Sequence, residues 1–254
     1  MMNITDRHEF ILKNLKETGK ITIDWLCETM KVSSVTIRKD LKVLEDKNLL
    51  FRIKGGASST NPYAIDRPLL VKESINSEEK QKIALAALKL IKDNDSIMIG
   101  SGTTVFTLAK HLESNHLLTV ITPALRVGLE LSGKKNIEVL QLGGLIRLNS
   151  SSVAGHFAMR ILEEISCGML FLGADGIDLE FGISISNLPE ATLNQKMIAN
   201  AQKIVILADS SKFGKRAIGK ICELIDVDYI ITDSKVSSDS VKIIEDLGIK
   251  MIIA

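Results

Sequence analysis

Val32-Ser-Ser-Val-Thr-Ile-Arg-Lys-Asp-Leu-Lys-Val-Leu44, followed by Arg52-Ile-Lys-Gly-Gly56, decides how the start of this chain folds. At about 100° per residue Ile37, Leu41 and Leu44 fall within one arc, which must face a core. Val35, Lys39 and Lys42 fall on the opposite side, flanked by Thr36 and Arg38. Ser33 or Ser34 is placed to cap this helix. Upstream, Thr22 can cap a second helix with Ile23, Leu26 and Met30 inward. Thr5 or Asp6 can cap a first, in which Phe10, Ile11, Leu12 and Leu15 recur before Gly19. Second helix, tight turn at Lys31-Val32-Ser33 and third helix make a helix-turn-helix. Downstream, Leu49 to Lys54 alternates. Arg52 and Lys54 lie on one side, Phe51 and Ile53 on the other, and Gly55-Gly56 permits the turn of a small wing.

The outward face of the third helix suits DNA. Arg38, Lys39 and Lys42 can reach phosphates or guanine edges, and an outward Val35 can touch a thymine methyl. With Ser34 and Thr36 beside them, and Arg52 and Lys54 on the wing, these are the candidate DNA contacts. The plainer alternatives are a solvated basic helix face and a hairpin edge protected by charge. Asp40, beside the core arc, is expected to pair with a neighbouring Arg or Lys. Trp25 is expected to pack against helices rather than stack on a base.

Charge is distributed in keeping with this. Net charge over 254 residues is +1, but residues 1–57 hold 11 Lys/Arg against 8 Asp/Glu. Residues 58–254 hold 21 against 23. Between Lys31 and Lys54 there are seven basic and three acidic residues. The length allows two cores, and 45% apolar with 25% charged residues is a globular composition. Three scattered cysteines, Cys27, Cys167 and Cys222, argue against a disulfide framework and for a reducing compartment. No apolar run reaches the ~18 residues of a membrane span, so a cytoplasmic location without membrane association is expected. No Cys/His spacing suggests a metal, and no cofactor is expected.

Residues 58–76 are polar, hold two of the four prolines and read as a linker. The expected division is 1–57 for the DNA-binding domain, 58–76 for the linker and 77–254 for a second domain. Asn76 with Glu79 suggests a capping box for a helix running to Ile91. Strands then alternate with helices: strands at 96–100, 117–122, 137–142, 169–172, 204–207, 229–232 and 251–253, helices at 103–112 and 125–131. Short apolar strands separated by helices imply an α/β fold with a mostly parallel sheet covered on both faces. Ligands of such sheets bind at the carboxyl ends of the strands.

Four strand ends carry polar or glycine-rich residues. Gly100-Ser-Gly-Thr-Thr104 joins a strand to a helix, where small residues let backbone N–H groups approach a phosphate. Gly143-Gly144 precedes Arg147. Gly173 to Asp178 supplies Asp175 and Asp178, and Ala208 to Gly214 supplies Asp209 and Lys212. Carboxylates suit sugar hydroxyls, while Lys212 and Arg147 suit a phosphate or carboxylate. His111 and His116 read as solvated. His156 is a minor candidate for a ligand contact.

The stretch from Val32 to Glu45 with Arg52 to Ala57 resembles the signature of the DeoR family of bacterial transcription regulators. The likeness begins at Arg7-His-Glu-Phe-Ile-Leu12. It continues through Glu79-Lys80, Ser101 to Thr104, Leu142-Gly-Gly144, Phe171 to Asp178, Glu190-Ala191 and Leu207 to Lys212. The resemblance implies a winged helix-turn-helix joined to a sensor domain like ribose-5-phosphate isomerase and CoA transferases, with a phosphorylated sugar as effector. It would place the phosphate on Ser101, Gly102, Thr103 and Thr104, with Asp175 and Lys212 lining the pocket and Arg147 and Lys80 as further candidates. Three positions depart from the family pattern: Lys54 for a usual His, Gly100 for a usual Asp and Pro123 for a usual Asn. The last two remove polar groups from the expected pocket edge, so the effector, or its hydroxyl pattern, would differ. The function implied is a regulator, more often a repressor, bound as a homodimer or homotetramer to double-stranded operator DNA with repeated half-sites. The alternatives are an isomerase-like enzyme using Asp175 and Asp178 as acid and base, and an architectural DNA protein without an effector.

Overall fold

A computed structural model describes residues 3–47, 49–53, 55–59, 69–91 and 96–254. The chain divides into two compact units, Met1–Pro62 and Tyr63–Ala254.

In the first unit three helices, Ile4–Thr18, Ile23–Met30 and Ser34–Asp46, precede the hairpin Phe51–Ile53 and Gly56–Ser58. The hairpin extends to a third antiparallel strand, Lys20–Thr22, with Gly56–Ser58 in the middle. The core is formed by Ile11, Leu15, Leu26, Ile37, Leu41 and Leu44, as the helical spacing predicts, and by Ile21, Leu50 and Ala57 from the wing. Thr22 Oγ1 accepts the Trp25 N–H and Ser33 Oγ the Thr36 N–H, so both expected caps are present. The first helix starts earlier than expected. Asn3, in extended conformation, caps it by accepting the Asp6 N–H at 2.9 Å, which leaves Thr5 and Asp6 inside the first turn. There Asp6 opposes the positive end of the helix dipole.

The two wing glycines serve different ends. Gly55 has φ +81°, which the turn requires. Gly56 lies against the neighbouring strand so closely that a Cβ would stand 2.0 Å from the Ile21 carbonyl oxygen. Asp40 is 3% exposed and accepts from Arg7 Nε at 2.7 Å and Nη2 at 3.0 Å, with His8 Nε2 at 3.3 Å. The pairing expected for Asp40 is thus made with the first helix, tying it to the third. The carboxylate raises the Arg7 pKa further through this hydrogen bond and its charge, against burial. Trp25 stacks on Phe10 with ring centroids 6.1 Å apart.

In the second unit seven parallel strands form one sheet. Their order is Lys250–Ile253, Tyr229–Thr232, Ile204–Leu207, Met169–Gly173, Ser96–Ile99, Leu118–Thr122 and Ile137–Gln141. Side chains alternate between two cores. Met98, Leu170, Leu172 and Ile206 enter one; Ile97, Ile99, Phe171 and Val205 enter the other. The sheet is therefore covered on both faces, as the apolar strands require. A hairpin of Leu145–Arg147 and Ser152–Ala154 and an antiparallel sheet of Gly176–Asp178, Gly182–Ile185 and Gly219–Cys222 complete the unit. Burial pushes the Cys167 thiol up to about 11 and the Cys222 thiol up to about 12. Among the described residues, no helix is long and apolar enough to cross a membrane.

The stretch read as a linker contains a short helix, Leu69–Ser74, which belongs to the second unit. The capping box at Asn76 and Glu79 is not formed. Asn76 is left-handed (φ 53°, ψ 41°), and its side-chain amide donates to Asp209 at 2.9 Å instead. Glu79 pairs with Lys235. The helix that follows is Ser77–Leu88, shorter than the reading to Ile91.

Candidate nucleic-acid interface and ligand site

The third helix of the first unit presents Val35, Arg38, Lys39 and Lys42 to solvent, opposite buried Ile37, Leu41 and Leu44. Val35 is 59% exposed, a large apolar group with nothing to gain from water. Ser34 and Thr36 are half-buried at the start of the helix. The Thr36 hydroxyl lies 3.0 Å from Ser33 Oγ, and Ser34 Oγ is a distant acceptor for Arg38 at 3.5 Å. On the wing, the Arg52 N–H donates to Glu45 at 2.9 Å and its guanidinium stands 3.6 Å from the same carboxylate. Glu45 thereby fixes the wing strand against the third helix. Lys54, the other wing candidate, lies outside the described residues.

In the second unit the topology marks one place on the sheet edge. From Ser96–Ile99 the chain adds strands in one direction, Leu118–Thr122 and then Ile137–Gln141. It then returns to the other side at Met169–Gly173 and continues through Ile204–Leu207 to Lys250–Ile253. The crevice where strand order reverses, between Ser96–Ile99 and Met169–Gly173, is where open α/β sheets bind ligands. Ser101 and Gly102 leave the first of these strands, and Asp175 follows the second.

Gly102 has φ +131° and precedes the helix Thr103–His111, whose first turn has no side-chain cap. Only a glycine adopts that backbone freely. The opening of this helix, with Thr103 and Thr104 buried beside it, faces the carboxyl edge of the sheet. Gly173 packs close to this loop; its Cβ position is 3.7 Å from the Ser101 carbonyl oxygen. A Cβ at Gly100 would stand 2.6 Å from Leu172 Cδ2, so a side chain there would require Leu172 to shift.

Around Asp175 the structure gathers charged groups from four segments. Lys72 Nζ donates to Asp175 Oδ1 at 2.8 Å, and the Ser186 N–H donates to Oδ2 at 2.9 Å. Burial pushes the Asp175 pKa up, but Lys72, Ser186 and Lys212 outweigh it and hold the carboxyl below its ordinary value. Lys80 is buried and donates to the carbonyls of Lys72 and Ile75. Its pKa is lowered, chiefly by burial; Asp209 opposes the shift while Lys212 and Lys72 add to it. Asp209 accepts from Asn76 and from the Ser211 N–H. Asp175, Lys80, Lys212 and Asp209 are thus brought together, with Lys72 among them.

Arg147 belongs to a neighbouring cluster. It stands 2.6 Å from Glu190 and donates to Ser150 Oγ at 3.2 Å, while Ser152 also donates to Glu190. Asp178 is engaged elsewhere: it accepts the Glu180 and Phe181 N–H groups of a turn and pairs with Arg216 at 2.8 Å. Beyond Asp209, a cleft of about 220 Å³ is lined by Asn76, Glu79, Ser210, Ser211, Asp233 and Lys235. Two carboxylates on its wall make it a poorer phosphate site than the lysine side of the cluster. Lys72 and Asp233 go unnoticed in the sequence, and Asn76 reads there only as a helix cap. Lys72 lies in a polar stretch whose helix is six residues long, too short for periodicity to announce it. Among the described residues, no group of three or more His, Cys, Asp or Glu could hold a metal ion.

A winged helix-turn-helix in one unit and a polar crevice at a topological switch in the other define a transcription regulator with a sensor. Comparison with known proteins agrees. The DeoR-like helix-turn-helix domain matches residues 7–62, and the DeoR C terminal sensor domain matches residues 75–234. The transcriptional regulator YulB of Bacillus subtilis is 36% identical over 98% of this chain and 96% of its own length. The transcriptional repressor GlcR of the same organism is 31% identical over 96% and 93%. The lactose phosphotransferase system repressor of Staphylococcus epidermidis is 32% identical over 92% and 93%. Among solved structures, ribose 5-phosphate isomerase A of Methanocaldococcus jannaschii is 22% identical over 54% of this chain and 55% of its own, with a TM-score of 0.41. The chain belongs to the DeoR family. It is a DNA-binding transcriptional regulator, and the enzyme alternative is set aside because the family and these relatives are regulators.

Proposed function

We propose that this regulator represses a sugar-metabolism operon and is controlled by a phosphorylated sugar bound at the carboxyl edge of the parallel sheet. The observation that carries this reading is the Lys72–Asp175 pair, with Lys80 held on the Lys72 carbonyl, Lys212 acting electrostatically on Asp175 and Lys80, Asp209 acting on Lys80, and Gly173, two residues before Asp175, packed on the Gly102 loop. Three ammonium groups against two carboxylates leave a positive excess for a phosphate, and the carboxylates suit sugar hydroxyls. Ser101, Gly102, Thr103 and Thr104 supply the phosphate cradle. Lys80, Asp175 and Lys212 line the pocket, and Arg147 with Glu190 forms its far wall. The names of GlcR and the lactose phosphotransferase system repressor support a sugar-linked role.

On the DNA side, Ser34, Val35, Thr36, Arg38, Lys39 and Lys42 read the groove, and Arg52 with Lys54 follows the backbone. Two or four copies engage repeated half-sites. The effector shifts operator affinity, and by linkage operator DNA shifts effector affinity by the same factor. The test is binding of the full chain to DNA upstream of its own gene, at fixed salt, with a panel of sugar phosphates. Release by one compound is expected, and Lys212→Ala is expected to blunt that release while leaving DNA affinity intact. Operator affinity indifferent to every compound the sensor binds would refute the reading.

A further inference from the structure

The helix Leu69–Ser74 is attached to its unit in an unusual way. None of its six residues is buried, and Leu70 is 80% exposed. A single six-residue helix has no stability of its own in water. What holds it is polar. Lys72 pairs with Asp175, and Glu73 receives Arg126 at 3.0 and 3.2 Å with Lys110 at 3.6 Å. The Leu69 N–H donates to the Asn149 carbonyl at 3.0 Å, and Lys80 holds the carbonyls of Lys72 and Ile75. Apolar contacts do not respond to a small anion, whereas ionic contacts do. In sequence this helix stands between the helix-turn-helix and the sheet.

The Lys72 and Asp175 side chains are 22% and 15% exposed, so the pair is partly open to solvent. Asp175 follows Gly173, which packs on Ser101 of the Gly102 loop. Lys212 also acts electrostatically on Asp175.

We propose that Lys72 is itself an effector contact. A phosphate on the Ser101–Thr104 loop competes with Asp175 for its ammonium, and the helix Leu69–Ser74 reports that exchange. This rests on the phosphate reading of the Gly102 loop given above. Lys72 is then at once part of the binding site and part of the fastening of the helix, so occupancy and helix attachment cannot vary independently. Asp175 is the internal competitor that holds Lys72 while the site is empty.

The test uses the full chain with inorganic phosphate as the probe, against chloride at equal ionic strength to remove screening. Binding is measured by calorimetry and backbone amide exchange by mass spectrometry. In the parent protein phosphate is expected to change exchange both at residues 100–105 and at residues 69–74. Lys72→Gln is expected to weaken phosphate binding roughly tenfold, the loss of one charge-assisted hydrogen bond. It should also abolish the response at 69–74 while keeping that at 100–105, and Lys72→Arg should restore part of both. Asp175→Asn removes the competitor and is expected to tighten phosphate binding, which a merely structural Asp175 would not do. A response at 100–105 with none at 69–74, or weaker binding in Asp175→Asn, overturns the inference and leaves the phosphate loop standing. No response at either segment overturns both.

Discussion

Removing the carboxylate of Asp40 should unfold the DNA-reading unit more readily than any change on its DNA-facing side. Asp40 is 3% exposed and takes two hydrogen bonds from Arg7, one at 2.7 Å and one at 3.0 Å, across 33 residues of sequence. Asp40→Ala leaves the Arg7 guanidinium without its counter-charge. Breaking a buried pair from one side costs ~3–5 kcal/mol. The Arg7 side chain keeps 13% of its surface in water, which places the cost near the lower end, about 3 kcal/mol. A unit of this size has a total stability of roughly 3–9 kcal/mol, so the substitution removes a third of it at the least. The readout is built in. Trp25 is the chain's single tryptophan and stacks on Phe10 within this unit. Tryptophan fluorescence in urea therefore follows the first unit alone within the full chain. With an m-value of about 1 kcal/mol/M, the midpoint should fall by roughly 3 M. A fall of less than about 0.5 M would show that the pair contributes as little as a surface one. Replacing both partners, Arg7→Met with Asp40→Leu, should recover most of the loss, because an apolar pair of similar volume needs no desolvation.

Arg38→Ala and Lys42→Ala should each weaken operator binding. Where the lost contact is a phosphate, the slope of log affinity against log salt should also drop by about one, and unchanged affinity would remove that residue from the interface. Gly56→Ala should destabilise the first unit by more than about 1 kcal/mol, since the new methyl would meet the Ile21 carbonyl oxygen at 2.0 Å. A urea midpoint equal to the parent's would mean that the wing strand can move aside. In the second unit the carboxyls of Glu73, Asp175, Asp178 and Asp233 all lie below their ordinary values of 4.5 for Glu and 3.8 for Asp. A depressed folded pKa gives stability that is present above the unfolded value and is lost as pH falls through the folded one. This unit should therefore weaken from about pH 4 downward, and urea unfolding followed by far-ultraviolet circular dichroism that does not shift between about pH 5 and pH 3 would contradict it.

The first unit was legible because its signals are local. Ile37, Leu41 and Leu44 repeat at helical spacing, Ser33 and Thr22 stand one residue before their helices, and Gly55 marks the wing turn. Caps compete among neighbours, however. Asn3, Thr5 and Asp6 are all good cap residues, and which one starts the helix depends on how the preceding chain runs. Asn76 shows the opposite failure. The sequence Asn76-Ser-Glu-Glu79 has the spacing of a capping box, yet Asp209, 133 residues away, takes the Asn76 amide. A tertiary partner that is already buried outbids a local one, and no local pattern records it.

The same distinction runs through the site. Strand ends declare themselves: Gly100 to Thr104, Gly173 to Asp175 and Ala208 to Lys212 are small or polar residues breaking off apolar runs, and a parallel sheet must bring them to one edge. What sequence cannot state is which charge each end meets. Asp178 has the same residue type and nearly the same position as Asp175, but the reversal at Gly182 carries it to Arg216, away from the lysines. Lys72 reads as linker, yet it meets Asp175 across 103 residues. The difference has a physical origin. Burial makes an unpaired carboxylate expensive, so Asp175 must recruit a cation, and the cation it pairs with belongs to a helix of which no residue is buried. If, as proposed above, phosphate competes with Asp175 for Lys72, the charge that binds the effector also fastens a weakly held helix. Sensitivity is then set by how nearly Asp175 and the phosphate match in their hold on one ammonium group.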